Sequence, residues 1–198
     1  LLRAAAGVAG AADRPLVTLG IAPTGPETGY GYVVAAGRRA EAGAYAVRRF
    51  VEKPPVDAAA ALLAGPDVVA WNAGIFLWRR DAILDALEAS APDILRVVRD
   101  ALAGGPAALD AAYATVRATS IDYAVLEPAS DAGKVAMLRA DVGWSDVGSW
   151  SALRDALVAL DELFRIAQLD GPLQDDAVLA IGKIGDSVEL KQTLLSVV

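Results

Sequence analysis

Residues 68–78 read Val-Val-Ala-Trp-Asn-Ala-Gly-Ile-Phe-Leu-Trp, and this stretch decides the fold class. It is rich in β-branched and aromatic residues, which favour a strand. One polar side chain, Asn72, stands inside this apolar run, where its donor and acceptor groups both need partners. A ligand hydroxyl could satisfy them, and so could neighbouring backbone groups. The small Ala73 and Gly74 leave room beside the amide, so both a binding and a structural interpretation stay open.

The segments around this strand alternate between strand and helix patterns. Short apolar or alternating runs predict strands, and runs with apolar residues three and four apart, bounded by Pro or Gly, predict helices. The predicted strands are 16–21, 45–51 and 135–140, and the predicted helices are 57–64, 81–89, 92–103 and 107–117. Weaker signals predict a helix within 1–12, a loop over 22–32, a helical turn over 121–127, a helix that begins at Ser145 or Asp146, and a strand over 177–181. This mixture indicates a layered α/β fold.

The composition excludes several classes of function. The 198 residues contain neither cysteine nor histidine, so a general base must be a carboxylate, a lysine or a tyrosine. The formal net charge of −7 argues against nucleic acid as a partner, because such binding depends on neutralising phosphates. No apolar run reaches the roughly 18 residues of a membrane span. The chain begins with Leu1 and has its one methionine at Met137, so we expect a longer parent protein.

Residues 50–54, Phe-Val-Glu-Lys-Pro, place an acid and a base side by side at the carboxyl end of a predicted strand. Ligands bind at this end of the strands in α/β sheets. Lys53 could provide a point charge for a phosphate, and Glu52 could accept hydrogen bonds from sugar hydroxyls. A solvated charge pair at a strand end is the alternative interpretation.

Residues 20–32 and 143–150 combine glycines with aromatic side chains. In the first segment Gly31 stands between two tyrosines, so the backbone could approach a ligand closely, although an ordinary glycine-rich turn is the alternative. The second segment reads Gly-Trp-Ser-Asp-Val-Gly-Ser-Trp. Its carboxylate, Asp146, could cap a helix or could ligate Mg²⁺ together with substrate phosphates.

Together and in this order, these segments resemble the sugar-1-phosphate nucleotidyltransferases, and above all their mannose-1-phosphate guanylyltransferase branch. The matching segments are 16–32, 49–54, 71–77, 120–127 (Ser-Ile-Asp-Tyr-Ala-Val-Leu-Glu) and 143–150. The resemblance covers about residues 14–155. It implies a Rossmann-like α/β fold of the nucleotide-diphospho-sugar transferase type, with a mixed, mostly parallel sheet flanked by helices.

The resemblance also implies a reaction. In this family mannose 1-phosphate attacks the α-phosphorus of GTP, and GDP-mannose and pyrophosphate form while Mg²⁺ neutralises charge. The implied site residues are Gly31, Glu52 and Asn72 for the sugar, Asp122 near the sugar side, Lys53 for the sugar phosphate, and Asp146 for the metal. Lys53 and Asp146 are thus the catalytic candidates. A cytoplasmic location and a homo-oligomer are further expectations.

One half of the family pattern is expected before residue 1. That half binds the nucleotide through a glycine-rich loop with an arginine, and it carries a second metal-binding aspartate. We accordingly predict a partial nucleotidyltransferase domain over residues 1–165 and a divergent C-terminal tail over 166–198. The alternatives are a glucose-1-phosphate nucleotidyltransferase relative and a noncatalytic sugar-phosphate-binding module or fragment.

Overall fold

The computed structural model describes residues 1–41, 43–146, 154, 157 and 158. The chain divides into two units, Leu1–Trp144 and Ser145–Val198. The described residues of the second unit are all exposed, and residues 154, 157 and 158 are helical, as predicted. The first turn of that helix after residue 146, the predicted strand at 177–181 and the predicted boundary at residue 165 lie outside the described residues.

The first unit contains six α-helices, one π-helix and five strands within its described residues. In chain order they are α1 (Leu2–Ala9), β1 (Leu16–Ile21), β2 (Tyr32–Arg38), β3 (Tyr45–Val51), α2 (Val56–Ala64), β4 (Val69–Leu77), α3 (Arg80–Ser90), α4 (Pro92–Ala103), α5 (Pro106–Tyr113), the π-helix (Asp122–Leu126), α6 (Glu127–Asp131) and β5 (Val135–Ala140). The bounds of β1, β3, β5 and α4 are those predicted from the sequence. In the described ranges, no helix has both the length and the apolar character needed to cross a lipid bilayer.

The strands form a mixed sheet whose ladders close into a ring in the order β1–β4–β2–β3–β5. β1 is parallel to β5, whereas the other four pairs are antiparallel. The prediction of a mixed sheet flanked by helices is confirmed, but the prediction that it is mostly parallel is wrong for the described strands. A short connection joins β2 to β3, and short connections make antiparallel hairpins, whereas a parallel pair needs a long crossover.

Helices cover both faces of the sheet. On one face α1 contributes Ala5 and Val8, which pack with Val17, Leu19 and their neighbours. On the other face Leu16, Phe50 and Met137 pack with residues from α3, the π-helix and α6. The alternation of side chains along β1 places Val17 and Leu19 on the first face and Leu16 on the second. This helix–sheet–helix layering is the α/β arrangement that the sequence predicts.

Side chains of α6 cover the free edge at the end of β3. β3 pairs with β5 only at Tyr45 and Ala46, so its later residues lack a strand on that side. The Phe50 N–H donates to Ser130 Oγ at 2.9 Å, and the Glu52 N–H donates to Glu127 Oε1 at 3.1 Å. These two bonds replace a strand ladder at the point where the chain leaves the sheet.

We expect Ser130→Ala to lower the free energy of unfolding by about 1–3 kcal/mol, because the buried Phe50 N–H would lose its acceptor. Urea denaturation measures this loss. Ser90→Ala is the matched control, since the Ser90 hydroxyl only donates to the Ala86 carbonyl at the end of α3. The control should change stability by about 0.5 kcal/mol or less. Equal losses in the two variants would contradict the edge-covering role of Ser130.

Candidate functional site

An irregularity in the pairing of β4 shapes the surroundings of Asn72. Phe76 pairs with Thr18 and Asn72 pairs with Gly20. The chain therefore advances four residues along β4 while it advances two along β1, so β4 contains two extra residues here. The extra residues form a bulge in which Gly74 has a φ of +67°, a left-handed conformation that glycine adopts at little cost. The small residues that follow Asn72 therefore let the strand widen next to the amide.

The Asn72 carboxamide takes part in three hydrogen bonds. Its Oδ1 accepts from Thr18 Oγ1 at 2.7 Å and from the Gly74 N–H at 3.2 Å. Its Nδ2 donates to Asp122 Oδ1 at 3.2 Å. The structural interpretation is thus confirmed, because neighbouring groups hold the amide. One of its N–H groups has no acceptor among the described residues, and the binding interpretation stays a prediction.

Glu52 and Lys53 follow directly after β3, where the regular alternation of side chains ends. Lys53 has a φ of +46°, which is uncommon for a residue with a side chain and often marks a functional segment. Its Nζ lies 3.4 Å from Glu52 Oε1. The left-handed residue therefore brings two consecutive side chains together, although they would point to opposite faces along a strand.

Gly31, which directly precedes β2, lies against both the segment that contains Asn72 and the segment that contains Glu52. Its carbonyl accepts the Asn72 backbone N–H at 2.7 Å. A Cβ atom at position 31 would lie 2.6 Å from Glu52 Oε2, which is too close for any side chain to fit without moving that carboxylate. The structure therefore joins Gly31, Glu52, Lys53, Asn72 and Asp122 in one cluster, and glycine at position 31 allows the Glu52 carboxylate its place.

Aromatic side chains connect three of the segments that the sequence analysis selected. The Tyr30 ring meets the edge of Trp71 at a centroid distance of 4.9 Å and that of Trp144 at 5.4 Å. Edge-to-face contacts of this kind add to the apolar area that the rings bury. They hold the glycine-rich loop before β2 against β4, next to Gly31 and Asn72.

Burial and the charged groups of the cluster shift the pKa of Glu52. The pKa of Glu52 is raised, first by burial and next by the negative charge of Asp122, with a smaller contribution from Glu127. The Lys53 ammonium opposes these effects. The Glu52 side chain is only 10% exposed, whereas that of Lys53 is 59% exposed. The site therefore offers carboxylate acceptors inside and one accessible cation outside.

Asp146 belongs to the second unit, so its position relative to this cluster is not described. It is exposed, and it is one of the two residues predicted to cap the helix, whose first turn lies outside the described residues. Within the described ranges, no group of three or more acidic side chains could hold a metal ion. An exposed carboxylate such as Asp146 nevertheless fits Mg²⁺ as one oxygen ligand, because this ion takes its other ligands from phosphates and water.

Two residues that bond to members of the cluster were not identified from the sequence. Glu127 lies in the motif 120–127 but had no assigned role, and its contact with the Glu52 N–H joins positions far apart in the chain. Thr18 is the one hydroxyl in the strand Leu16–Ile21 and is fully buried. A polar side chain within such an apolar strand is the signal that could have indicated it.

We expect the stability of the wild-type chain to fall relative to Glu52→Gln as the pH rises above 4.5, the ordinary value for a glutamate. The folded chain holds the Glu52 proton more tightly than the unfolded chain, so ionisation favours unfolding. This penalty is absent at lower pH and complete above the raised pKa. Urea denaturation of both proteins across this range measures the difference, and parallel pH profiles would contradict the raised pKa.

Comparisons with known proteins agree on one family. The nucleotidyl transferase family profile matches residues 3–162. The chain is 45% identical over 153 residues to the xanthan biosynthesis protein XanB of Xanthomonas campestris pv. campestris strain B100, covering 74% of this chain and 31% of that protein. It is 44% identical over 148 residues to the mannose-1-phosphate guanylyltransferase ManC of Salmonella typhimurium strain LT2, covering 70% and 30%. The chain thus spans about a third of the length of these relatives.

Solved structures show the same likeness. A Thermus thermophilus protein described as a mannose-1-phosphate geranyltransferase has a TM-score of 0.67 at 31% identity, covering 79% of this chain and 43% of that one. A Helicobacter pylori protein described as a mannose-6-phosphate isomerase has a TM-score of 0.54 at 26% identity, covering 67% and 52%. The resemblance found in the sequence is therefore confirmed, and the chain belongs to the nucleotidyl transferase family.

Proposed function

We propose that this chain forms the sugar-phosphate-binding part of an enzyme that transfers GMP from GTP to mannose 1-phosphate. The products are GDP-mannose and pyrophosphate. The observation that carries the proposal is the convergence of Asn72, on β4, with Glu52 and Lys53, directly after β3. The three residues lie in one acceptor-rich cluster with an accessible ammonium group. Relatives named mannose-1-phosphate guanylyltransferase support the choice of sugar and nucleotide.

Different residues of the cluster bind different groups of the sugar phosphate. The carboxylates of Glu52 and Asp122 accept hydrogen bonds from sugar hydroxyls, and the remaining N–H of Asn72 donates one. Lys53 is 59% exposed, so its ammonium can reach a phosphate that lies outside the ring of acceptors. Gly31 leaves room for the Glu52 carboxylate because it has no side chain.

The reaction needs orientation and charge neutralisation more than a protein nucleophile. An oxygen of the sugar phosphate attacks the α-phosphorus of GTP, a new O–P bond forms, and the bond to the departing pyrophosphate breaks. Holding the attacking oxygen in line accounts for much of the rate enhancement in such reactions. A chain without histidine or cysteine can perform this role, because Lys53 stabilises the phosphate charge while the hydroxyl contacts fix the sugar.

We also propose that Asp146 is a ligand of Mg²⁺ when substrates are bound. The bound ion neutralises charge on the reacting phosphates. The exposed carboxylate of Asp146 provides one oxygen ligand. The nucleotide-binding loop that the family resemblance places before residue 1 remains a prediction.

We expect the chain to bind mannose 1-phosphate more tightly than glucose 1-phosphate in isothermal titration calorimetry. Lys53→Ala should weaken binding of mannose 1-phosphate about tenfold, since a charge-assisted hydrogen bond is lost. Lys134→Ala is the matched control, because Lys134 is an exposed lysine that precedes β5 and lies outside the cluster. Equal affinity for the two sugars would favour the glucose 1-phosphate relative or a noncatalytic module. Unchanged binding in Lys53→Ala would contradict the phosphate role.

We expect Mg²⁺ to tighten the binding of GDP-mannose by about tenfold in the wild type and to have little effect in Asp146→Asn, which lacks the anionic ligand. Titrations with and without the ion measure the gain. Asp110→Asn is the control, because it removes a different exposed carboxylate, on α5. This variant should keep the gain in affinity that Mg²⁺ provides. A gain that persists in Asp146→Asn would show that Asp146 does not ligate the ion.

A further inference from the structure

Thr18 places a buried hydroxyl group on β1, within hydrogen-bond distance of Asn72 in the proposed sugar site. It is fully buried, and Thr18 and Ser130 are the buried polar residues of the described chain. Whereas Ser130 bonds to backbone groups, Thr18 Oγ1 donates to a side chain, Asn72 Oδ1, at 2.7 Å. A buried hydroxyl needs a partner, and here that partner is a residue of the site itself.

The contacts of Asn72 determine which way its amide points. The Gly74 N–H can only donate, so it must face the oxygen of Asn72. The contact with the Asp122 carboxylate then falls to the nitrogen. With Thr18 and Gly74 both donating, the two lone pairs of the oxygen are used. The nitrogen keeps one N–H without an acceptor among the residues that the structure describes.

We propose that Thr18 is a positioning residue, which fixes the Asn72 amide so that its second N–H donates to a hydroxyl of the bound sugar. The inference rests on the proposed function, because the sugar is the acceptor that it assigns. Thr18 never touches the substrate in this arrangement. Its hydrogen bond is the shortest of the three that hold the amide, and it comes from β1, in which every residue except Ile21 is buried.

Substitutions at position 18 separate the hydroxyl from the shape of the side chain. Thr18→Val keeps the branched side chain that suits a strand but loses the donor. Thr18→Ser keeps the donor but loses a methyl group. If Thr18 acts through its hydroxyl, the serine variant keeps the behaviour of Asn72, and the valine variant does not.

The first experiment observes the amide directly and needs no ligand. Asn72 is the one asparagine of the 198-residue chain, so labelling with ¹⁵N-asparagine gives a single side-chain amide group, seen as one pair of N–H signals. In nuclear magnetic resonance spectra of the full chain, we expect Thr18→Val to shift both amide protons towards the values of an exposed asparagine. Thr18→Ser should leave them near their wild-type positions. Unmoved signals in Thr18→Val would overturn the positioning role.

The second experiment connects the amide to binding. Thr18→Val should weaken mannose 1-phosphate binding about fivefold, and Thr18→Ser should restore most of this loss. In an Asn72→Ala background, adding Thr18→Val should cause no further loss, because the side chain through which Thr18 acts is gone. A structural role would weaken binding equally in both backgrounds, and that result would overturn the inference.

Failure of the proposed function gives a different result. If mannose 1-phosphate leaves the wild-type Asn72 amide signal unchanged and does not bind, the assignment of the sugar is wrong and with it the substrate side of this inference. The ligand-free spectra of the position 18 variants still report whether the hydroxyl of Thr18 orients the amide. The two failures are therefore distinguished in the same labelled samples.

Discussion

The hydrogen bonding of a single carboxamide joins the parts of the molecule that form the site. Asn72 lies on β4, its oxygen accepts from β1 and from the Gly74 bulge, and its nitrogen donates to Asp122 on the π-helix. An amide oxygen only accepts and an amide nitrogen only donates, so this pattern can be satisfied in one orientation. The Asn72 side chain can therefore make all three hydrogen bonds only when β1, the Gly74 bulge and the π-helix hold these positions relative to β4.

The local features of the chain were predictable, and the distant pairings were not. Leu16–Ile21 and Tyr45–Val51 have patterns complete within six or seven residues, and their bounds were predicted correctly. β2 was not predicted, because its second half is exposed and gives little apolar pattern. The direction of each strand pair depends on contacts across the chain, so the mostly parallel sheet was an error that local patterns could not prevent.

The same distinction applies to the candidate site. Glu52 and Lys53 are neighbours in sequence, so their proximity at a strand end could be predicted. Thr18 bonds to a residue 54 positions away, and Glu127 supports a backbone group 75 positions away. No spacing rule links such pairs, because only the folded sheet brings them together. The supporting residues of a site are for this reason harder to read from a sequence than the residues that contact a ligand.

The backbone of Lys53 has a consequence for how this site can change. Its left-handed conformation at φ +46° costs of order 1 kcal/mol for a residue with a side chain, and glycine would adopt it almost freely. A glycine there would relieve this local cost and would remove the one ammonium in the cluster. The local backbone conformation and the proposed phosphate contact thus favour different residues at position 53. The lysine retains a local strain that the fold alone does not require.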